Sequence, residues 1–251
     1  MTNNVLLNNV DHKDLRVITT RSARYGDDAM YAITFPSEFR NIQAHYPIVL
    51  HKTADGQFQP IALFGFQTAQ NLFLGDSGWD ATYLPLTIER QPFLIGLAGR
   101  EMMIHVDLDS PRISATEGEP VFLPQGGNSR YLERITAILH GIHQGLAVSK
   151  AMFAAFTAHG LIEPVNVGIK FNAEEQFNLR GLYTIGEEKL RGLSGDALFE
   201  LNSAGFLQGA FLVIASLNNM KKLIDMKHRR GQRLAESQAA AGVRGVVDVA
   251  Q

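Results

Sequence analysis

The feature that most constrains this chain is a change of hydrophobic period near residue 128. From Arg130 the apolar positions Ile135, Ile138, Leu139, Ile142, Leu146, Met152, Phe153 and Phe156 recur mostly at three- and four-residue steps. That spacing lines one face of a helix. Gly126–Gly127–Asn128–Ser129 forms a loop ending in capping residues before the stripe, and Gly160 supplies a stop after it. The pattern predicts one helix of about 30 residues from Arg130 to about His159. Gly141 and Gly145 lower its local propensity without breaking the stripe.

Strand signals dominate before that point. They fall at Tyr46–His51, Phe58–Phe66 and Asn71–Leu74, with Asp55–Gly56 as a hairpin turn between the first two. Pro92–Leu97 and Met102–Leu108 form a second pair through Ala98–Gly99–Arg100, Leu15–Thr19 is strand-like, and Pro36–His45 reads as a short helix. Beyond the long helix, Leu161–Lys170 and Phe177–Ile185 read as strands around a polar turn. Short helices follow at Glu187–Leu193 and Gly195–Ala204, then an apolar segment at Phe206–Ala215 and an amphipathic helix from Leu217 to about Leu234. Residues 236–251, rich in Ala, Gly and Val, are expected to form a flexible tail. With no internal repeat and no linker, residues 1–235 are expected to fold as a single compact domain. The fold class is α+β: a beta-rich N-terminal half, a long central helix and a mixed strand and helix C-terminal part.

Composition narrows the chemistry. Of 251 residues 45% are apolar and 19% charged, the latter below the roughly 25% of an average domain. The neutral surplus fits either a large core or a surface that covers itself with a partner. The absence of cysteine excludes disulfides, thiolate nucleophiles, iron–sulfur clusters and Cys-type zinc sites. A net charge of −2 gives no global field for nucleic acid. Met1 to Arg16 lacks the basic start and apolar core of a signal peptide, and the apolar run around Ala210–Ala215 is too short to span a bilayer. A cytoplasmic protein without membrane insertion is therefore expected.

Candidate motifs are sparse. His105–Val106–Asp107 puts a histidine and a carboxylate on one face of a strand. With a distant histidine they would make the two-histidine, one-carboxylate set of non-haem iron oxygenases. The candidates for that third ligand, His140, His143 and His159, all lie on the long helix, so an ordinary edge strand is the expected reading and no metal is assigned. His140 and His143 also have a spacing that can bind metal, but no carboxylate stands beside them. No serine sits in a Gly-x-Ser-x-Gly elbow, and no glycine-rich phosphate loop appears apart from the helix-opening Gly126–Gly127–Asn128. Lys221–Arg233 carries six basic residues and one acid over an apolar stripe, read as the solvated face of a packed helix.

A belt of aromatics is more informative. Phe64, Phe66, Phe73, Trp79, Tyr83 and Phe93 are interleaved with Gln67, Asn71, Asp80, Glu89 and Arg90. Large rings beside a few polar groups suit a ligand pocket, apolar walls giving affinity and placed donors giving orientation. Most of these rings are expected in the core. Trp79 and Tyr83, in or beside a Gly- and Asp-rich loop, are the expected exceptions.

Two stretches carry a family resemblance. One runs through Tyr46–Pro47–Ile48, Pro60–Ile61–Ala62–Leu63, Asn71–Leu72–Phe73, Trp79, Tyr83–Leu84–Pro85 and Pro92–Phe93. The other holds Gly181–Leu182–Tyr183–Thr184–Ile185, Glu187–Glu188–Lys189–Leu190, Gly205–Phe206–Leu207 and Ser216–Leu217. In order and spacing they resemble the SapC family over roughly residues 30–225. Gln91 and Gly186 depart from the pattern, which marks a divergent member. The resemblance implies a bacterial protein and brings no catalytic residues. Similar proteins are encoded near outer-membrane transporters and near halogenase-like and oxygenase-like proteins, which implies an accessory to the modification or handling of a peptide or small molecule. The expected function is thus a non-catalytic binding protein that uses no cofactor. Its site would comprise Trp79, Tyr83, Glu89, Arg90 and Asn71, and its partner would be a peptide or protein. An iron oxygenase using His105 and Asp107, or an assembly component, are the alternatives.

Overall fold

A five-stranded antiparallel sheet organises the protein, as seen in a computed structural model that describes residues 3–98, 101–170 and 176–247. In chain order the strands are β1 (Asn4–Leu6), β2 (Arg16–Val17), β3 (Tyr31–Ile33), β4 (Ile48–Lys52), β5 (Phe58–Leu63), β6 (Leu74–Gly75), β7 (Gly78–Trp79), β8 (Phe93–Ala98), β9 (Glu101–Asp107), β10 (Ile113–Ser114), β11 (Glu119–Pro120), β12 (Ile162–Lys170) and β13 (Gln176–Ile185). The helices are α1 (Phe39–Ile42), α2 (Leu86–Glu89), α3 (Arg130–Ala158), α4 (Glu187–Arg191), α5 (Gly195–Ser203), α6 (Leu207–Ser216) and α7 (Asn219–Val247). The large sheet has the order β12-β13-β4-β5-β3, and smaller sheets are β1-β9-β8, β10-β2-β11 and the β6-β7 hairpin. This is the α+β architecture that the change of period implies.

The centre of the large sheet explains itself from sequence. Ile48, Val49 and Leu50 are consecutive and fully buried, so both faces of β4 are covered. Asp55–Gly56 turns the chain into β5, with Gly56 in the left-handed region at φ 81° and Lys52 opposite Phe58. Ser216 at the end of α6 accepts the Ile48 N–H at 2.8 Å, which fixes α6 on this sheet.

Helix α3 joins two hydrophobic clusters. Its first half, through Leu132, Ile135, Leu139 and Ile142, packs with Phe93 and Val106 of the small sheet. Its second half, through Met152, Phe153 and Phe156, packs into the core of the large sheet. Ser129 caps the helix, its hydroxyl accepting the Leu132 N–H at 3.1 Å. At the far end Gly160 is left-handed and the Leu161 N–H returns to the Phe156 carbonyl at 2.9 Å. Gly145 faces inward because the Phe35 ring lies against the helix there. A Cβ at that position would stand 2.2 Å from Phe35 Cδ2.

Several sequence expectations shift. Leu146 is exposed, because the inward row passes instead through Gly145 and Ser149. The expected strand Asn71–Leu74 survives only as Leu74 in β6, because the Asn71 side chain accepts the Phe73 N–H at 3.0 Å and turns the backbone. The helix at Pro36–His45 contracts to α1, the apolar Phe206–Ala215 is the helix α6, and α7 continues past Leu234 to Val247. The expected turns at Gly99–Arg100 and 171–175, with tail residues 248–251, lie outside the described residues. Among the described residues no single helix is long and apolar enough to cross a membrane.

Phe153 is 3% exposed, so Phe153→Ala is expected to cost about 3–5 kcal/mol. Denaturant unfolding measures this, and a loss below about 1 kcal/mol would show that the α3 face is not packed.

Candidate functional site

The site is built around a buried ion pair. Arg112, 1% exposed, donates from Nη2 to both Asp27 carboxylate oxygens at 2.6 Å, and Asp27 is fully buried. Asp27 also accepts the Ser22 N–H at 2.8 Å and the Arg21 Nη1–H at 3.3 Å, and its carbonyl accepts from Asn71 Nδ2 at 2.7 Å. Arg112 donates from Nη1 to the carbonyls of Ile18 (2.9 Å) and Thr20 (3.0 Å), while its Nε is buried without a partner. The backbone of Ile18 adds a bond to the Arg112 carbonyl at 2.9 Å. One guanidinium thus holds the chain from Ile18 to Asp27 against the loop after β9. Burial, then the nearby Arg112 charge, depresses the Arg21 guanidinium below its ordinary value.

Three clefts open along this held segment. The first, of about 490 Å³, lies between Thr20–Ser22 and the Gly75–Trp79 hairpin. The second, of about 500 Å³, shares Ser22, Gly75 and Asp76 with it and runs to Arg229, Arg230 and Arg233 of α7. The third, of about 550 Å³, shares Arg21 and runs to Arg130, Tyr131 and Arg134 at the start of α3, with Glu89 and Glu119 opposite. Burial pushes the Tyr131 hydroxyl up to about 12. Each of the three is lined in part by residues 19–23.

The five residues expected from sequence do not share one pocket. Trp79 is half-buried and lines the first cleft, its ring edge-on to Phe64 at 5.1 Å and its Nε1–H donated to the Tyr46 hydroxyl at 2.7 Å. Tyr83 is half-buried and points inward, donating its hydroxyl to Glu38 Oε1 at 3.0 Å while its carbonyl accepts from Tyr46 at 2.5 Å. Glu89 lines the third cleft and is ion-paired with Arg134. Arg90 lines a different depression, with Asp107 and Asp109, and donates to the Phe93 carbonyl at 2.5 Å; burial lowers its ordinary value. Asn71 is 3% exposed and serves Asp27 and the Phe73 turn. Phe64, Phe66, Phe73 and Phe93 are core.

Charged groups that pattern did not single out organise the region. Asp27, Arg21 and Arg112 are scattered in sequence, and no periodicity flags them. Glu38, buried beneath Tyr83, accepts from Thr34, Tyr83 and the Leu86 N–H, and burial raises its carboxyl above the ordinary carboxylate range. The motif at His105 resolves differently. Its ring lies on Gly96 of β8, where a Cβ would stand 2.4 Å from the ring, and its Nδ1 is buried without a partner. Asp107 accepts the N–H groups of Asn3 and Asp109. His140 and His143 are exposed on α3, and His159 is paired with Glu200. Among the described residues no three His, Asp or Glu side chains gather where they could hold a metal ion.

A family model described as SapC matches residues 7–223 of the 251. No curated protein and no solved structure matches the chain.

Removing one partner of a buried pair strands the other charge. Arg112→Met is therefore expected to cost about 3–5 kcal/mol, while the exposed Arg134→Met changes stability by less than about 1 kcal/mol. Chemical denaturation measures both, and equal effects would remove the Asp27–Arg112 pair from its central place.

Proposed function

The chain belongs to the SapC family, and on that premise we propose that it is a non-catalytic binding protein that engages a peptide. In this reading it works in the bacterial cytoplasm as an accessory to an enzyme that modifies the peptide. The single observation that carries the reading is that three neighbouring clefts share lining along residues 19–23, with the sole tryptophan in the middle one. A compact ligand needs one enclosed pocket with convergent polar groups. A row of neighbouring clefts, one of them beside an indole, suits an elongated ligand with several side chains instead. Three carboxylates in or beneath this region are engaged in structural bonds: Asp27 with Arg112, Glu38 with Tyr83 and Thr34, Glu89 with Arg134. That arrangement favours holding a ligand over transforming it.

Since Trp79 is the only tryptophan, its emission reports on the middle cleft alone. Acrylamide is expected to quench it partially, and a binder from a library of tryptophan-free decapeptides to suppress that quenching. Thr20→Tyr, a change at an exposed position lining the same cleft, should abolish the suppression without altering the far-ultraviolet circular dichroism. Quenching that no peptide changes would overturn the reading.

A further inference from the structure

We propose that the three clefts act as one groove and take an extended peptide that adds as a strand to the Thr19–Arg21 edge and carries an acidic residue at each end. The inference rests on the peptide-binding reading and specifies the ligand's class and its mode of pairing.

The backbone of residues 18–22 carries the first part of the case. In an extended chain the N–H and C=O of one residue point to one side and those of the next residue to the other. Ile18 bonds to Arg112 through both its N–H and its C=O, and Thr20 bonds to Arg112 through its C=O. These two residues are therefore turned toward Arg112, and the backbone groups of Thr19 and Arg21 are not among those it binds. Neither the N–H nor the C=O of Thr19 or Arg21 has a hydrogen-bond partner among the described residues. Thr19 and Thr20 are exposed, and the chain here belongs to no sheet. A short free edge held rigidly from behind is what an added strand pairs with, main-chain bonds giving affinity and flanking pockets reading alternate side chains. The clefts that share Arg21 and Ser22 supply those pockets.

Charge supplies the second part. At each end of the groove three arginines face two carboxylates: Arg21, Arg130 and Arg134 against Glu89 and Glu119, and Arg229, Arg230 and Arg233 against Asp76 and Asp80. The surplus is positive at both ends of a chain whose net charge is −2. Arg130, Arg229 and Arg233 make no ion pair among the described residues, whereas Arg21 and Arg134 are held by Asp27 and Glu89. The uncommitted guanidiniums can each take a carboxylate in a two-pronged contact. The interspersed carboxylates disfavour a continuous polyanion such as a nucleic acid, which would run its phosphates past Asp76, Asp80 and Glu119. A peptide with acids only at its ends sets fewer negative charges against those carboxylates than a polyanion does.

The test titrates the full chain into a fluorescein-labelled decapeptide with glutamate pairs at both ends and phenylalanine near its centre, followed by anisotropy. Its comparators are the same peptide with lysine for glutamate, the same peptide N-methylated at its central amides, and a labelled thymidine oligonucleotide. The glutamate peptide is expected to bind at least about tenfold tighter than either the lysine or the N-methylated form. Arg130→Glu combined with Arg233→Glu, both at the surface, should erase the preference for glutamate while leaving the circular dichroism unchanged. Equal binding of the glutamate and lysine peptides, both suppressing Trp79 quenching, would overturn the acidic-ligand assignment and leave the peptide-binding reading standing. Unchanged binding of the N-methylated form would overturn strand addition, and tighter binding of the oligonucleotide would overturn the choice of a peptide. If no decapeptide binds more tightly than about 1 mM, the inference and the reading beneath it both fall.

Discussion

Arg112 and Asp27 meet where neither side chain reaches solvent, and the groove follows from how that pair is satisfied. A buried carboxylate and guanidinium lose hydration worth several kcal/mol each, and their attraction offsets this only when the remaining lone pairs and protons are bonded. The protein meets that condition mostly with backbone, the Arg112 Nε–H alone of the pair's groups staying without a partner among the described residues. The carbonyls of Ile18 and Thr20 absorb the second guanidinium nitrogen, and the Ser22 N–H and the Arg21 side chain complete the carboxylate. Satisfying the pair therefore fixes the course of residues 18–27. The same arrangement leaves the backbone groups of residues 19 and 21 without a hydrogen-bond partner among the described residues. Stability and the proposed binding edge have one cause.

The rest of the fold holds that edge in place. Helix α3 ties the two hydrophobic clusters together along one face, so its first turn stands at a fixed position beside the groove. The β6-β7 hairpin carries Trp79, whose indole is steadied by the Tyr46 hydroxyl, itself bonded to the Tyr83 carbonyl. Helix α7 reaches the other end through the buried Leu223 and Met226, beyond which residues 229–233 are exposed. Three separate elements thus frame a segment that is neither helix nor strand.

Regular structure was legible in the sequence to the extent that periodicity dictated it. The α3 stripe, the Asp55–Gly56 hairpin and the strand pairs β8-β9 and β12-β13 follow from patterns of apolar residues and turn chemistry. Asn71 defeated the strand reading because its side chain competes for backbone bonds, an effect that apolar pattern does not encode. The site was legible only in part. Of the expected residues, Trp79 and Glu89 each line a cleft, whereas Tyr83, which loop composition also singled out, serves internal bonds, as do Asn71 and Arg90. The arginines of the groove come from α3, α7 and the stretch before Asp27, brought together by packing between residues more than a hundred positions apart. No local motif announces such a meeting.

Residue-resolved amide hydrogen exchange of the free protein tests the central claim, that Arg112 and Asp27 hold a segment whose outer edge is unpaired. The Ile18 and Ser22 amides, bonded to Arg112 and Asp27, should be strongly protected, while the Thr19 and Arg21 amides between them should exchange close to the rate of an open chain. Uniform protection across residues 18–22 would mean that the edge is already paired. Uniformly fast exchange would mean that the buried pair does not hold the segment, and either result would contradict this account.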